Sequence, residues 1–217
     1  MNNIEKSIKF LKDTFEDCKF FKENESSKLY RIEHSIRVAN IGKQIAIEEN
    51  LDVEALVIGC ILHDIGYAQE FTSDDDYVNH GRYSAKLARP FLKSLGYDES
   101  KVDEICYGIA IHVDDKADFD GERTPLALSI GDSDNIDRFD AFRIYMDFEN
   151  RNFSDMLIDD KMILLNNSID KLKKYMIMDF GTRTGLDMWQ DKIKYRIEYS
   201  EKLKSQFENS KKVNIVG

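Results

Sequence analysis

Gly59-Cys60-Ile61-Leu62-His63-Asp64-Ile65-Gly66 decides how this chain is read. An apolar run from Leu56 to Leu62 predicts a buried helix. It stops at a histidine beside a carboxylate, followed by a glycine. A buried ionisable pair has to be neutralised by a partner or by a metal ion. Imidazole and carboxylate together make the mixed nitrogen and oxygen donor set that divalent transition metals take. A lone His-Asp dipeptide is equally explained by a hydrogen bond at a helix end, so the rest of the chain has to decide.

The chain has 217 residues, enough for one domain or one domain with an appendage. It is 42% hydrophobic and 33% charged, which suits a packed core under a charged surface. Only 2 prolines and 11 glycines interrupt it, so long helices are expected. The net charge of -10 argues against a nucleic-acid polymer as partner, because no surplus of cations is there to displace counterions. A small phosphorylated substrate is compatible with that charge if a metal supplies positive charge locally. Cys18, Cys60 and Cys106 are few, far apart and set in apolar patterns, so they read as reduced core residues. The first residues lack a signal peptide's charged and apolar regions, and no run is long and apolar enough to span a bilayer. The expectation is a soluble, cytoplasmic protein.

Working outward, Ile4, Ile8, Leu11, Phe15 and Cys18 recur at helical spacing and predict one helix to Phe21. A second helix is expected from Lys28 to Glu49, carrying His34 and Arg37. Asp52 caps the helix that ends at His63-Asp64. Phe71 to Val78, with its run of aspartates, reads as a solvated loop. His80 then starts a helix that Gly96 terminates. Ser100 is a candidate cap for the next, which ends at Ile111-His112. A second acidic loop, Val113 to Glu122, leads to Thr124-Pro125, an N-cap and first helical position. That helix takes an apolar face into Asp132-Ser133-Asp134. Ser154–Met178 and Thr182–Phe207 predict two long amphipathic helices joined near Gly181. The stripe containing Trp189 reads as packing, and Lys211–Gly217 as a frayed end. Three segments follow: an N-terminal helix over 1–27, a core over 28–150, and C-terminal helices over 151–217 in the same globular unit.

Only four histidines occur, and His34, His63, His80 and His112 each fall on or at the end of a separate apolar-striped helix. Any one alone is explained as a hydrogen-bonded core histidine. Four together, with an acidic helix end at Asp132, point to a shared metal centre.

These residues resemble the HD-domain metal-dependent phosphohydrolases. His34-Ser35-Ile36-Arg37-Val38-Ala39 resembles the family's first motif, and Leu62-His63-Asp64-Ile65-Gly66 its namesake motif. Asp132-Ser133-Asp134-Asn135-Ile136-Asp137 resembles the last, whose first aspartate is a ligand. His80, followed by Gly81 and Ser84-Ala85, and His112 resemble the two extra histidines of the subset that holds two metals. The resemblance covers Tyr30 to Phe142, and the tail from Gly181 is similar to a bacterial subgroup of stand-alone HD hydrolases. The chain departs from the pattern at Tyr67, where many relatives carry lysine, and at Asn135, where arginine is usual. It lacks the Gly-Tyr-Pro signature of the cyclic-dinucleotide branch, reading His112-Val113-Asp114-Asp115 instead.

The resemblance implies an all-α HD-domain helical bundle with two long C-terminal helices packed on it. It implies His34, His63, Asp64 and Asp132 as metal ligands, with Asp64 bridging to a second ion on His80 and His112. With one ion, His80 and His112 instead bind phosphate or shuttle protons. Arg37 shares a helix face with His34, where it binds phosphate or forms a salt bridge. Asp134 is the alternative last ligand, and Asp134 and Asp137 are candidates to orient a ligating imidazole. Asp132 is preferred because it follows directly on the apolar run. The cofactor is one or two divalent transition metals (Mn, Fe, Co, Ni or Zn). The expected activity is hydrolysis of a phosphate ester of a small molecule, a nucleotide above all, with Asp64, His80, His112 and Arg37 as catalytic residues. Other classes fit the same pattern: a nucleotide-binding signalling module without turnover, a helical scaffold whose C-terminal helices form a homodimer, and an iron oxygenase.

Overall fold

The computed structural model describes residues 1–69 and 71–210, so the expected fraying of 211–217 lies outside the described residues. Among them are ten α-helices and no strand, the all-α class read from the sequence. The helices are α1 (Asn3–Asp17), α2 (Lys19–Glu23), α3 (Glu25–Glu48), α4 (Val53–Leu62) and α5 (Asp74–Ser94). They continue as α6 (Glu99–Ile111), α7 (Pro125–Arg138), α8 (Ala141–Asn150), α9 (Ile158–Tyr175) and α10 (Arg183–Asn209). Short 3₁₀ turns cover Ile65–Ala68 and Phe153–Asp155. No described helix is long and apolar enough to cross a membrane.

The chain divides into two compact units. The first comprises Met1–Asp137 and Phe180–Gly185; the second comprises Arg138–Asp179 and the described residues from Leu186 onward. The division falls at Asp137 rather than at residue 150, and α1 belongs to the first unit together with the histidine-bearing helices.

In the first unit α4 is the central element. Every residue from Ala55 to Leu62 is buried, as expected for a helix that is apolar all round. Asp52 caps it by accepting from the Ala55 N–H at 3.0 Å. Leu11 and Phe15 of α1, Val38 and Ile45 of α3, Ile105 and Ile109 of α6, and Ile130 of α7 are buried with it. Gly59 lets α7 approach, since a Cβ there would lie 3.1 Å from Ile130 Cγ1 and closer still to its Cδ1.

Three local expectations are corrected. The single N-terminal helix is broken at Cys18, whose extended backbone (φ -73°, ψ 125°) separates α1 from α2. The cap of α6 is Asp98, which accepts from the Lys101 N–H at 2.8 Å, two residues ahead of the expected Ser100. The aspartate run 74–76 is no loop but the first turn of α5, where carboxylates are favoured by the helix dipole. His80 therefore lies in the second turn of that helix.

Asp76 is the centre of this N-terminus. It accepts from the Thr72 N–H at 2.7 Å, the Ser73 N–H at 2.9 Å and the Tyr83 hydroxyl at 3.1 Å. Chiefly through the Thr72 N–H, these bonds pull its pKa down to about 2. A depressed acid stabilises the fold fully above its unfolded pKa of about 4 and loses that contribution as pH falls through its folded value. Asp76→Asn is accordingly expected to lower stability above pH 4 and to flatten the acid limb between about pH 4 and 2. Urea melts of the two proteins across that range are the measurement.

Candidate metal centre

Four helices bring the four histidines together in the first unit. His63 and His112 are the C-cap residues of α4 and α6. Helix ends leave carbonyls without intrahelical partners. His63 Nδ1 lies 2.7 Å from the Cys60 carbonyl and His112 Nδ1 2.7 Å from the Ile109 carbonyl, each three residues back. His80 Nδ1 contacts the Tyr77 carbonyl in the same relation. A carbonyl only accepts, so each Nδ1 carries the proton and each Nε2 presents a lone pair.

Those Nε2 atoms converge. His80 and His112 Nε2 are 3.0 Å apart, and His34 and His63 Nε2 are 3.3 Å apart. Asp64 sits among them. Its Oδ1 is 3.1 Å from His80 Nε2 and 3.6 Å from the Nε2 atoms of His63 and His112, while its Oδ2 is 3.6 Å from His34 Nε2. Asp134 Oδ1 lies 3.1 Å from His34 Nε2 and 3.8 Å from His63 Nε2. Three overlapping sets have all their ligand atoms within 4.8 Å of one another: His34, His63, Asp64; His63, His112, Asp134; and Asp64, His80, His112.

This donor set fits a divalent cation. Lone pairs facing each other at 3.0–3.3 Å repel unless a cation stands among them. Burial pushes His63 down to about 4, so it is neutral and able to ligate. Burial disfavours charge on His34, but its hydrogen bonds to Asp134 and Asp137 outweigh this and hold it at about 9, so a metal ion binding there would displace the Nε2 proton that these carboxylates otherwise retain. Burial likewise opposes the Asp64 anion, yet His63, Arg31, His112 and His80 together hold its carboxyl well below the usual range.

The supporting residues are as ordered as the donors. Asp137 Oδ2 is 2.8 Å from His34 Nδ1, and Arg37 pairs with the same carboxylate through Nε at 2.8 Å and Nη2 at 3.1 Å. Arg37 is thereby tied to the salt-bridge alternative, bracing the carboxylate that orients His34. Such partners govern metal affinity by about 10–100-fold. Asp137→Asn is expected to weaken metal binding by about that factor with the helix content retained, as a metal titration followed by calorimetry would show.

Asp132, the expected last ligand, lies apart from the three sets. Its Oδ2 accepts from the Gly181 N–H at 2.8 Å. Burial raises its pKa to about 7. The reason is helical phase. Ala127, Ile130, Asp134 and Asp137 fall on one stripe at three- and four-residue spacing, whereas Asp132 falls with Leu128 on another. That stripe is present in the sequence, and it places Asp134 rather than Asp132 in line with the buried face.

Arg31 had no role in the sequence reading, and Tyr67 figured only as a departure from the family pattern. Arg31 Nη1 donates to Asp64 Oδ2 at 2.7 Å, and its guanidinium lies 3.5 Å from the centroid of the Tyr67 ring. Tyr67 in turn packs on His80 at 4.6 Å between centroids. The available signal was the three-residue spacing of Arg31 from His34, which puts both on one face.

Two glycines permit the close approach of α5. A Cβ at residue 66 would lie 2.5 Å from the His80 carbonyl and 2.8 Å from the Ser84 nitrogen. One at residue 81 would lie 2.7 Å from the Ala110 carbonyl and 3.1 Å from His112 Nδ1. Backbone must move to admit either. Gly81→Ala is therefore expected to separate His80 from His112 and to weaken metal binding by about tenfold or more, measured by titration of the stripped protein.

A buried cluster of imidazoles and carboxylates on an all-α frame defines a divalent-metal protein. A family model, the HD domain, matches residues 31–139, just over half of the chain. The chain belongs to the HD-domain family. No curated protein matches it. Among solved structures, it is similar to the crystal structure at 1.45 Å of a predicted HD superfamily hydrolase from an uncultured Thermotogales bacterium. The two align with a TM-score of 0.64 and 19% identity over 95% of this chain and 94% of that one, a likeness of fold. Family and donor set together support a metal-dependent hydrolase in general.

Proposed function

We propose that this protein is a metal-dependent phosphohydrolase that cleaves a phosphate ester of a small molecule, a nucleotide above all. The observation that carries this reading is Asp64. Its two oxygens face different imidazoles, and one of them is also held by Arg31. A carboxylate so placed suits a bridge between two ligand sets. In this reading His34, His63, Asp64 and Asp134 hold one divalent ion, and Asp64, His80 and His112 hold a second. Mn, Fe, Co, Ni and Zn suit this mixture of donors. Bound metal supplies Lewis acidity toward phosphoryl oxygens and lowers the pKa of a ligated water from about 15.7 toward about 7.

The chain's own residues do the rest. Nδ1–H bonds to carbonyls fix His63, His80 and His112, and the Asp137 carboxylate fixes His34, so no reorientation is needed at the moment of reaction. Leu62, Ile61 and Ile65 are buried behind the cluster and keep water from its inner side. Arg31 places a fixed cation beside the carboxylates and has further N–H donors for a phosphoryl oxygen. Tyr67, Phe71 and Tyr77 form a ring cluster continuing from His80, with centroids 5.2 Å and 5.0 Å apart in sequence. Such rings suit a nucleobase, which favours a nucleotide over a simple ester.

The test is phosphate release from a nucleotide panel by stripped protein resupplied with each of Mn, Fe, Co, Ni and Zn. Release from at least one nucleotide with at least one metal is expected. Absence of turnover across the panel refutes the reading.

A further inference from the structure

The second unit contains a cavity of about 610 Å³, within the usual range of about 300–1,000 Å³ for small-molecule sites. It is lined wholly by residues of α8, α9, α10 and the start of the unit. Its charge is unlike that of the chain. Arg138, Arg143, Arg151, Lys171 and Arg196 line it, against only two carboxylates, Asp147 and Asp160. The protein as a whole carries -10, so a local cationic surplus is not background. A concave, low-dielectric wall concentrates such a field on whatever enters.

The cations are set in two ways. Arg196 is a fixed part of the wall: its Nη2 pairs with Asp147 Oδ2 at 2.7 Å, and its guanidinium lies 5.0 Å from the centroid of Phe139. Arg151 and Lys171 have no ion-pair partner among the described residues and are exposed. Between the cations the lining is apolar and aromatic, with Phe139, Ile144, Phe148, Leu164 and Tyr175. Asn167, Ser168 and Ser200 add neutral hydrogen-bonding groups. Arginine forks match phosphate oxygens, aromatic faces match a flat ring, and amide and hydroxyl groups match sugar hydroxyls. A simple fatty anion would use one cation and leave the others uncompensated.

We propose that this cavity is a second binding site, separate in sequence from the His/Asp centre, for a nucleoside polyphosphate. It holds the phosphates on Arg151, Lys171 and their neighbouring arginines and the base against Phe139, Phe148 or Tyr175. The site does not depend on what the metal centre hydrolyses.

The chain supplies its own reporter. Its single tryptophan, Trp189, lies 4.6 Å from Phe139 and 6.3 Å from Tyr175 between centroids, and its Nε1–H donates to the Tyr175 carbonyl at 2.7 Å. Full-length protein in excess EDTA is titrated with ATP, GTP and inorganic triphosphate, following Trp189 fluorescence and, on the same samples, heat. Saturable binding of a nucleotide below about 1 mM is expected. The double variant Arg151→Glu/Lys171→Glu should weaken it by at least about tenfold. Asp64→Asn should leave it within about twofold. No heat up to about 1 mM overturns the proposal. So does binding that Asp64→Asn abolishes and the double variant leaves intact, because the nucleotide then sits at the metal centre. Inorganic triphosphate binding as tightly as ATP also overturns it, since the aromatic wall then contributes nothing.

Discussion

Asp64→Asn is expected to lower metal-dependent phosphate release by at least about 10³-fold, equivalent to about 4 kcal/mol of barrier, and to remove bound metal from the protein. Asp64 is the carboxylate shared by two of the three ligand sets, and it is within 3.6 Å of the Nε2 atoms of all four histidines. Removing its charge deprives both sets together, so metal content should fall to near zero rather than to half. The substitution keeps the shape of the side chain but leaves the Arg31 guanidinium without its anionic partner. Loss of one member of a buried pair costs about 3–5 kcal/mol where the survivor stays buried. Arg31 is a quarter exposed, at 26%, and escapes part of that cost by reaching solvent. Metal stoichiometry and circular dichroism on the same sample separate loss of ligation from loss of fold. A variant that retains full metal content and turnover would remove Asp64 from the centre.

The second large effect is a contrast between two aspartates on one helix. Asp134→Asn should reduce metal affinity and turnover by about 10²-fold or more, since loss of a donor exceeds the about 10–100-fold cost of losing a supporting partner. Asp132→Asn should leave both within about twofold, because its carboxamide oxygen can still accept from the Gly181 N–H. The pair is a direct test of helical phase: α7 turns Asp134 toward His34 and His63 and turns Asp132 toward Gly181. If Asp132→Asn proves the damaging substitution and Asp134→Asn the silent one, the arrangement of donors described for this centre is wrong.

The two aspartates also show how far local pattern reaches. An apolar run ending at His63-Asp64 announced a helix buried on every side, and α4 is that helix. Burial follows from composition alone there, because no face is polar enough to meet water. The long C-terminal periodicities likewise foretold α9 and α10. The acidic run 74–76 misled because charge density resembles that of a solvated loop, while its position before an amphipathic stretch makes it the first turn of α5. Helix α8 was not separately foreseen. It is ten residues long and carries a clear apolar stripe, of which only Ile144 is buried.

The sequence by itself determined that this protein is all-helical and that four histidines and a His-Asp pair end or stripe separate apolar helices. Those features need only local periodicity and the cost of burying charge. Tertiary structure decided which carboxylate of Asp132 and Asp134 meets the imidazoles, that Arg37 braces Asp137 while Arg31 holds Asp64, and that five cations gather in one acidic chain's cavity. Each of these depends on helix phase and on which faces meet, and residues distant in sequence share neither until the chain has packed.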